Sequence, residues 1–423
     1  MKFTSTTLIA QGALAAAAAT SGDFTILSMN VAGLPAILNP NGVPGGKEAS
    51  AKTIGSKFAQ YGYDVIHMQE DFNYHATSTQ PTLTPSRTPT SGGVPLGSGL
   101  NTLSNLPWLP GSFQRQKWNK SSCASEFDCL TPKGFTFMRV ALSGAAADGS
   151  TDGKGNEVYV DFYKLHTDAG TEKGDLEARN DNLRQVKEKR LTDTWIELHR
   201  DGVLPSDGGV CGHPAENATC EIVDKVLYRS SPLVKLEPTG FEYAGLKFLS
   251  DDGNVLSDYN PVLVNLTWSA GDRLRQSEFW GGATYGSWFN DVSILDSTPE
   301  PIKARKITFR GESRLDSVAL TISYSSGQGT TELVHGGRGG SEVSLTLADG
   351  EFWTKSELCQ SEKSDKTRNF YIKATTSKGR TLEAGTRTSE YKVFEAEEGW
   401  QVVGFLGEIG DEVDLLGFIY GKI

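Results

Sequence analysis

The sequence predicts two domains of different class, a mixed α/β layered domain followed by an all-β domain. Three observations carry this. The chain of 423 residues exceeds what one ordinary hydrophobic core can organise. Its first part alternates apolar, strand-like runs with helix-spaced segments, the pattern of layered α/β folds. Beyond Trp268 there is no amphipathic helix pattern, and short strands recur between glycine-rich turns, which predicts a β sandwich or prism.

Taken in order, Leu8 to Ala19 is a short apolar run behind Lys2, ending in alanines. It falls short of the roughly 20 apolar residues a membrane span needs, so residues 1–19 read as a secretory signal peptide, against a buried N-terminal helix as the alternative. No later stretch has transmembrane length. Phe24 to Asn30 reads as a strand, Lys52 to Tyr61 as a helix and Asp64 to Glu70 as a second buried strand. Residues 77–111, rich in Ser, Thr, Pro and Gly, read as a long surface loop. Phe135 to Leu142 and Glu157 to Leu165 follow as strands, Asp175 to Arg190 as a charged helix, and Ile222 to Tyr228 and Pro261 to Trp268 as the last strands of this half. The division expected is 20–270 and 275–423. In the second half Ile302 to Thr308, Val318 to Tyr324, Phe370 to Thr375 and Trp400 to Leu406 read as strands.

A formal net charge of −11 gives no overall attraction for nucleic acid or an anionic membrane, so a polyanionic substrate would need local cations. Five cysteines in an exported chain read as two short-loop disulfides, Cys123 with Cys129 and Cys211 with Cys220, leaving Cys359 unpaired. A zinc site is the competing idea, with spacings unlike the usual knuckles. Sequons at Asn119, Asn217 and Asn265 agree with a secreted glycoprotein.

Several polar residues fall at the ends of the predicted strands, where α/β folds place their sites. Asn30 ends the first strand and Glu70 the second; His166 and Asp168 follow another; Asp224 opens one, and Ser257-Asp258-Tyr259 precedes the last. One such residue is ordinarily a solvated strand terminus. In this order the set resembles the endonuclease/exonuclease/phosphatase superfamily, the four-layer α/β sandwich that includes deoxyribonuclease I-like enzymes and sphingomyelinases. The resemblance covers roughly residues 24–268. It implies Mg²⁺, or another hard divalent cation, held by Asn30 and Glu70. It further implies His166 at the scissile phosphate and Asp258 as the residue that orients a general base. Hard cations take carboxylate and amide oxygens, and they neutralise the charge that develops on phosphate. The substrate implied is a phosphodiester, either nucleic acid or a phospholipid head group.

The chain departs from that family twice. The Gly-Asp-x-Asn motif expected at a strand end between His166 and Asp224 is missing. Leu176 to Arg190 runs directly into Leu191-Thr-Asp-Thr-Trp-Ile. One core strand is therefore expected to be absent, whether by deletion or by omission of an exon. Tyr259 also stands where the family has its general-base His. An unperturbed tyrosine titrates near ~10 and a histidine near ~6.5, so Tyr259 is a poor base at neutral pH.

The second half resembles the jacalin-related lectins, a three-sheet β prism. The matching segments are Phe279-Trp-Gly-Gly282 with Trp288 to Asp291, Arg314 to Val318, His335 to Ser341, and Gly404 to Gly417. The family's Gly-x-x-x-Asp sugar loop is read as Gly407 to Asp411. Asp411 would supply the carboxylate, and Glu408, Ile409 and Gly410 the backbone groups, for a pair of ring hydroxyls. Gly281 and Gly282 would let a second loop approach, and the glycines of His335 to Ser341 read as a structural turn. Glycans are the partners implied. Two functions follow: a secreted Mg²⁺-dependent phosphodiesterase carried to glycan-bearing surfaces, or a lectin whose catalytic domain is an impaired scaffold.

Overall fold

The computed structural model describes residues 19–35, 43–80, 82, 84–117, 132–143, 157–166, 190–203, 211–283, 286–299, 301–324 and 329–423. The apolar run through Ala18, Cys123 and Cys129, Asn119, Asp168 and the charged segment through Lys189 lie outside them.

Alternation along Ser21–Asn30 sends Phe24 and Ile26 to one face and Leu27 and Met29 to the other, all buried, so this strand needs a layer on each side. It runs parallel to Val65–Gln69 and antiparallel to Val262–Ala270. These three are the middle of a six-stranded sheet ordered Val234–Tyr243, Val262–Ala270, Ser21–Asn30, Val65–Gln69, Asn101–Ser104, Ser86–Arg87. On one face, Ile54 and Phe58 of the helix Lys47–Tyr61 pack with Leu27, Met29, Ile66 and Met68. On the other, Phe24, Ile26 and Val65 meet Met138, Val140 and Phe162 of a three-stranded sheet, Gln114–Lys117, Gly134–Ala141 and Tyr159–His166. Trp195 and Ile196, from the helix Thr194–Arg200, close the end of this core. Among the described residues the layers are therefore helix, sheet and a narrow second sheet.

Three expectations differ from what forms. Residues 77–111 are not one loop: Asn101–Ser104 is a fully buried strand of the main sheet. Its polar side chains are paired inside, Asn101 Nδ2 donating to Asp71 Oδ2 at 2.8 Å and Thr102 Oγ1 lying 2.9 Å from His67 Nδ1, so its composition disguises its burial. The strand Ile222 to Tyr228 shrinks to Leu227–Tyr228, and Asp224 sits in the irregular stretch before it. The edge strand Val234–Tyr243 was not legible because Pro238 and Gly240 interrupt it; the register shifts there, which an edge tolerates.

The second half forms three sheets around one core. One is ordered Thr330–Gly336, Leu315–Ser323, Lys303–Gly311, Ser341–Thr346; a second Thr381–Gly385, Lys366–Thr376, Trp353–Lys363, Glu390–Glu395. The third is ordered Leu274–Gln276, Val413–Lys422, Trp400–Ile409, Ser287–Asn290, with Trp280–Gly281 also paired to Val413–Lys422. Trp353 joins the sheets by edge-to-face contacts with Phe309, Phe405 and Phe418, at centroid distances of 5.7, 5.8 and 5.7 Å. Replacing this buried Trp by Ala would cost about 3–5 kcal/mol. A five-residue helix, Val292–Asp296, appears where none was expected.

The halves meet at Arg139. Its guanidinium bonds Asp161 at 2.6 and 2.9 Å and lies 4.4 Å from the Trp288 ring centre and 5.5 Å from that of Phe279. Among the described residues no helix is long and apolar enough to cross a membrane.

Candidate functional site

Parallel pairing sets Asn30 opposite Gln69, so Asn30 and the next residue, Glu70, leave adjacent strand ends together. Glu70 has φ +55°, a region that costs a side-chain-bearing residue and persists only where the surroundings impose it. They do: the Gly33 and Phe72 amides both donate to the Glu70 carbonyl at 3.0 Å, and the Asp71 amide donates to Gly99 O at 2.9 Å. A Cβ on Gly99 would lie 3.0 Å from Glu70 Cα and 2.7 Å from the Phe72 ring, so only glycine allows this approach.

The Glu70 carboxylate is buried beside Asn30, whose amide bonds it, while Asn30 Oδ1 accepts from the Ala32 amide at 2.9 Å. Asp258 is brought in by its neighbour: Ser257 Oγ donates to Asn30 O at 2.6 Å, and the Tyr259 amide donates back to Ser257 Oγ at 3.2 Å. Burial pushes the Glu70 carboxyl up, the Asn30 bond pulls it down, and Asp258 raises it again. Burial likewise pushes Asp224 up to about 7; Lys225 opposes this, and Asp258 and Glu70 add to it. Glu70 Oε2 and Asp258 Oδ1 have no hydrogen-bond partner among the described residues. Buried carboxylate oxygens of this kind can take a cation or a donor. Asn30 and Glu70 are hard oxygen donors and fit Mg²⁺, which keeps most of its shell as water or phosphate. Among the described residues, no three His, Cys, Asp or Glu side chains converge tightly enough to chelate an ion by themselves.

His166 ends the strand Tyr159–His166, opposite Gly134. Burial holds its imidazole well below the usual range, and Lys133 and Lys164 push it further down, so it is neutral at pH 7. The pairing of Tyr159–His166 with Gly134–Ala141 leaves it as the terminal strand of its sheet among the described residues. Tyr259 is half-buried and lines a shallow cleft with His213, Phe248 and Pro261. The Cys211–Cys220 disulfide loop is fixed next to it: Asn260 Oδ1 accepts from the Ala215 amide at 2.8 Å, and Asn260 Nδ2 donates to Gly212 O at 3.1 Å. Cys359 is free and buried.

Sequence reasoning missed two cations. Lys47, at the start of the helix Lys47–Tyr61, interacts with Asp258 and Glu70; Lys133 interacts with Glu70 and His166. Single lysines carry no spacing signal.

In the second half, Gly407, Glu408 and Ile409 lie inside the strand Trp400–Ile409, paired with Phe289, Trp288 and Ser287. The turn itself is Gly410, Asp411 and Glu412. Asp411 is exposed, and its main chain packs on Gly337. Three residues on, Asp414 is the carboxylate that meets the glycine loop. The Gly282 amide donates to Asp414 O at 3.0 Å, and a Cβ on Gly286 would lie 2.7 Å from Asp414 Oδ2. Gly281, at φ +115°, pairs in the sheet where a side chain would strike the Asp414 carbonyl. Asp414 Oδ1 is buried with no hydrogen-bond partner among the described residues. The signal for it was in the sequence, since Gly410 to Asp414 also spells Gly-x-x-x-Asp.

This three-sheet arrangement and its glycine-lined turn coincide with a family match: residues 277–419 fit the jacalin-like lectin domain. Residues 277–419 are a jacalin-like lectin domain. Solved structures similar to it include Malaysian banana lectin, at 18 % identity and a TM-score of 0.31, covering 35 % of this chain and 98 % of that one. A mannose-binding jacalin-related lectin from Ananas comosus is similar at 18 % identity and 0.31, covering 36 % and 99 %. The N-terminal part is similar to the sphingomyelinases of Mycobacterium bovis and Mycobacterium tuberculosis, each 31 % identical over 287 residues, which take up 59 % of this chain and 54 % of theirs. The chain thus spans about half the length of the curated relatives it matches. It combines a sphingomyelinase-like part with a jacalin-like lectin domain.

Proposed function

We propose that this chain is an exported phosphodiesterase of the sphingomyelin-cleaving class, slow in turnover, that its lectin domain directs to glycan-bearing surfaces. The boundary between its parts falls between residues 270 and 275. The observation that carries the catalytic half is the Asn30–Glu70–Asp258 cluster, with two carboxylate oxygens that have no hydrogen-bond partner among the described residues. The relatives' name supplies the substrate class.

A divalent cation bound there would neutralise charge on the phosphate and lower the pKa of an attacking water. Glu70 and Asn30 would hold it. Neutral His166 donates an N–H to a phosphoryl oxygen, and Lys47 and Lys133 place positive charge around the anionic head group. Asp258 aims the next residue, and here that residue is Tyr259, which gives up the efficient proton abstraction of an imidazole. On the lectin side, Asp414 accepts from sugar hydroxyls while Gly281, Gly282 and Gly286 supply main-chain groups. Asp411, on the exposed turn, borders the site.

A second reading is a lectin with a scaffold N-terminal domain, favoured by Tyr259 and by His166 standing on a terminal strand. The deciding measurement is sphingomyelin hydrolysis with Mg²⁺ and with chelator. Hydrolysis that needs the ion supports the enzyme. Hydrolysis that persists in chelator removes the Asn30–Glu70 site, and none under either condition leaves the lectin.

A further inference from the structure

Basic side chains gather beside Asp414, the carboxylate proposed above for the sugar. Arg314 Nη2 bonds Glu412 Oε1, and Arg368 Nη1 bonds Glu412 Oε2 at 2.7 Å and lies 3.5 Å from Asp414 Oδ1. Lys363 Nζ stands 3.6 Å from Glu412 Oε1. Three basic side chains thus converge on one buried glutamate, and Arg368 alone of them also reaches the carboxylate that the glycine loop approaches. Arg368 Nε is buried and has no hydrogen-bond partner among the described residues, and the same is true of Arg314 Nε.

A guanidinium offers five donors in a plane, and a buried donor left unmade is costly. A neutral saccharide drawing its hydroxyls to Asp414 competes with Arg368 for that carboxylate and has only weak acceptors to return. A saccharide carrying an oxyanion returns a charge-assisted bond to the guanidinium while its hydroxyls take Asp414. We propose that Arg368 makes this pocket select saccharides bearing an anionic substituent, such as a sulfate or phosphate ester or a carboxylate, over their neutral counterparts. This rests on the placement of the sugar at Asp414 proposed above, and adds the class of sugar.

The test is titration calorimetry on the full chain with methyl α-mannoside, methyl β-galactoside, the 6-sulfate of each, and inorganic sulfate. The proteins are wild type, Arg368→Gln, Arg368→Lys and Asp414→Asn. For the sugar that binds, the sulfated form is expected to bind roughly tenfold tighter to wild type. Arg368→Gln should bring the two forms level, Arg368→Lys should keep part of the preference, and Asp414→Asn should lose both. Sulfate alone should bind far more weakly than the sulfated sugar. Equal binding of both forms to wild type, or a preference that survives in Arg368→Gln, overturns the proposal while leaving the sugar site standing. Undiminished sugar binding in Asp414→Asn, or no binding by wild type, removes the site itself and the selectivity with it. If Arg368→Gln does not fold, Arg368→Lys decides, since preference undiminished there shows that the planar fork is not the selector.

Discussion

The two halves treat buried carboxylates in opposite ways. In the N-terminal half Glu70 and Asp224 are pushed above their ordinary range, chiefly by burial, and Glu70 and Asp258 keep oxygens with no hydrogen-bond partner among the described residues. In the lectin half Glu351, fully enclosed, is held down to about 2 by the Arg380 guanidinium, which bonds both its oxygens. Glu412 is also lowered: burial raises it, but Arg314 and Arg368 outweigh that. At Glu351 and Glu412 the guanidinium partners outweigh burial, whereas at Glu70, Asp224 and, in the lectin half, Asp414 burial wins.

The contrast can be broken at its strongest point first. Glu70→Ala should remove the Mg²⁺-dependent hydrolysis of sphingomyelin, a loss of at least about 100-fold, while leaving glycan binding unchanged. A head-group release assay beside a glycan array reads both, and hydrolysis that survives in the variant would show that Glu70 holds no essential ion.

Arg380→Gln should lower the melting temperature of the lectin half by several degrees at pH 7, because Glu351 is left charged and enclosed. Glu351 is depressed in the folded state, so its contribution is present above pH ~4.5 and is lost as pH falls toward about 2. The difference between variant and wild type should therefore vanish at the acid end of a calorimetric pH series. A constant difference would mean that Arg380 acts through packing alone.

Asp224 runs the other way. Its folded-state pKa is raised, so the folded form holds its proton between pH ~4 and about 7 and stability falls as pH rises through that window. Asp224→Asn should stabilise the metal-free N-terminal half at pH 7.5, by up to about 2 kcal/mol given the group's partial exposure, and do nothing at pH 4. Denaturant midpoints at the two pH values measure this; stabilisation at both would assign the effect to packing.

The smallest effect expected is from Tyr259→His. The imidazole restores a base of suitable pKa, but without the Gly-Asp-x-Asn motif the phosphate would still be poorly held, so the gain in turnover should stay below roughly tenfold. A much larger recovery would show that the missing motif matters little to this site.

The sequence alone determined the two-class organisation, because hydrophobic period and glycine spacing are local properties. Pattern alone also put Asn30, Glu70, His166 and Asp258 at strand ends, and it paired Cys211 with Cys220. What it could not decide are matters of register and three-dimensional company. Asn101–Ser104 looked like loop because its hydrogen-bond partners, Asp71 and His67, lie more than thirty positions away. Lys47, the first residue of the helix Lys47–Tyr61, and Lys133 approach Glu70 only through tertiary folding, with no repeat to read. The lectin turn is the sharpest case. Gly-x-x-x-Asp fits both Gly407 to Asp411 and Gly410 to Asp414, and nothing local separates them. The ladder pairing Ser287–Asn290 with Leu406–Ile409 draws Gly407 into a strand and turns the chain after Ile409. That register exposes Asp411 and buries Asp414 against the glycine loop and Arg368, because side chains alternate along a paired strand and a turn fixes which one faces in.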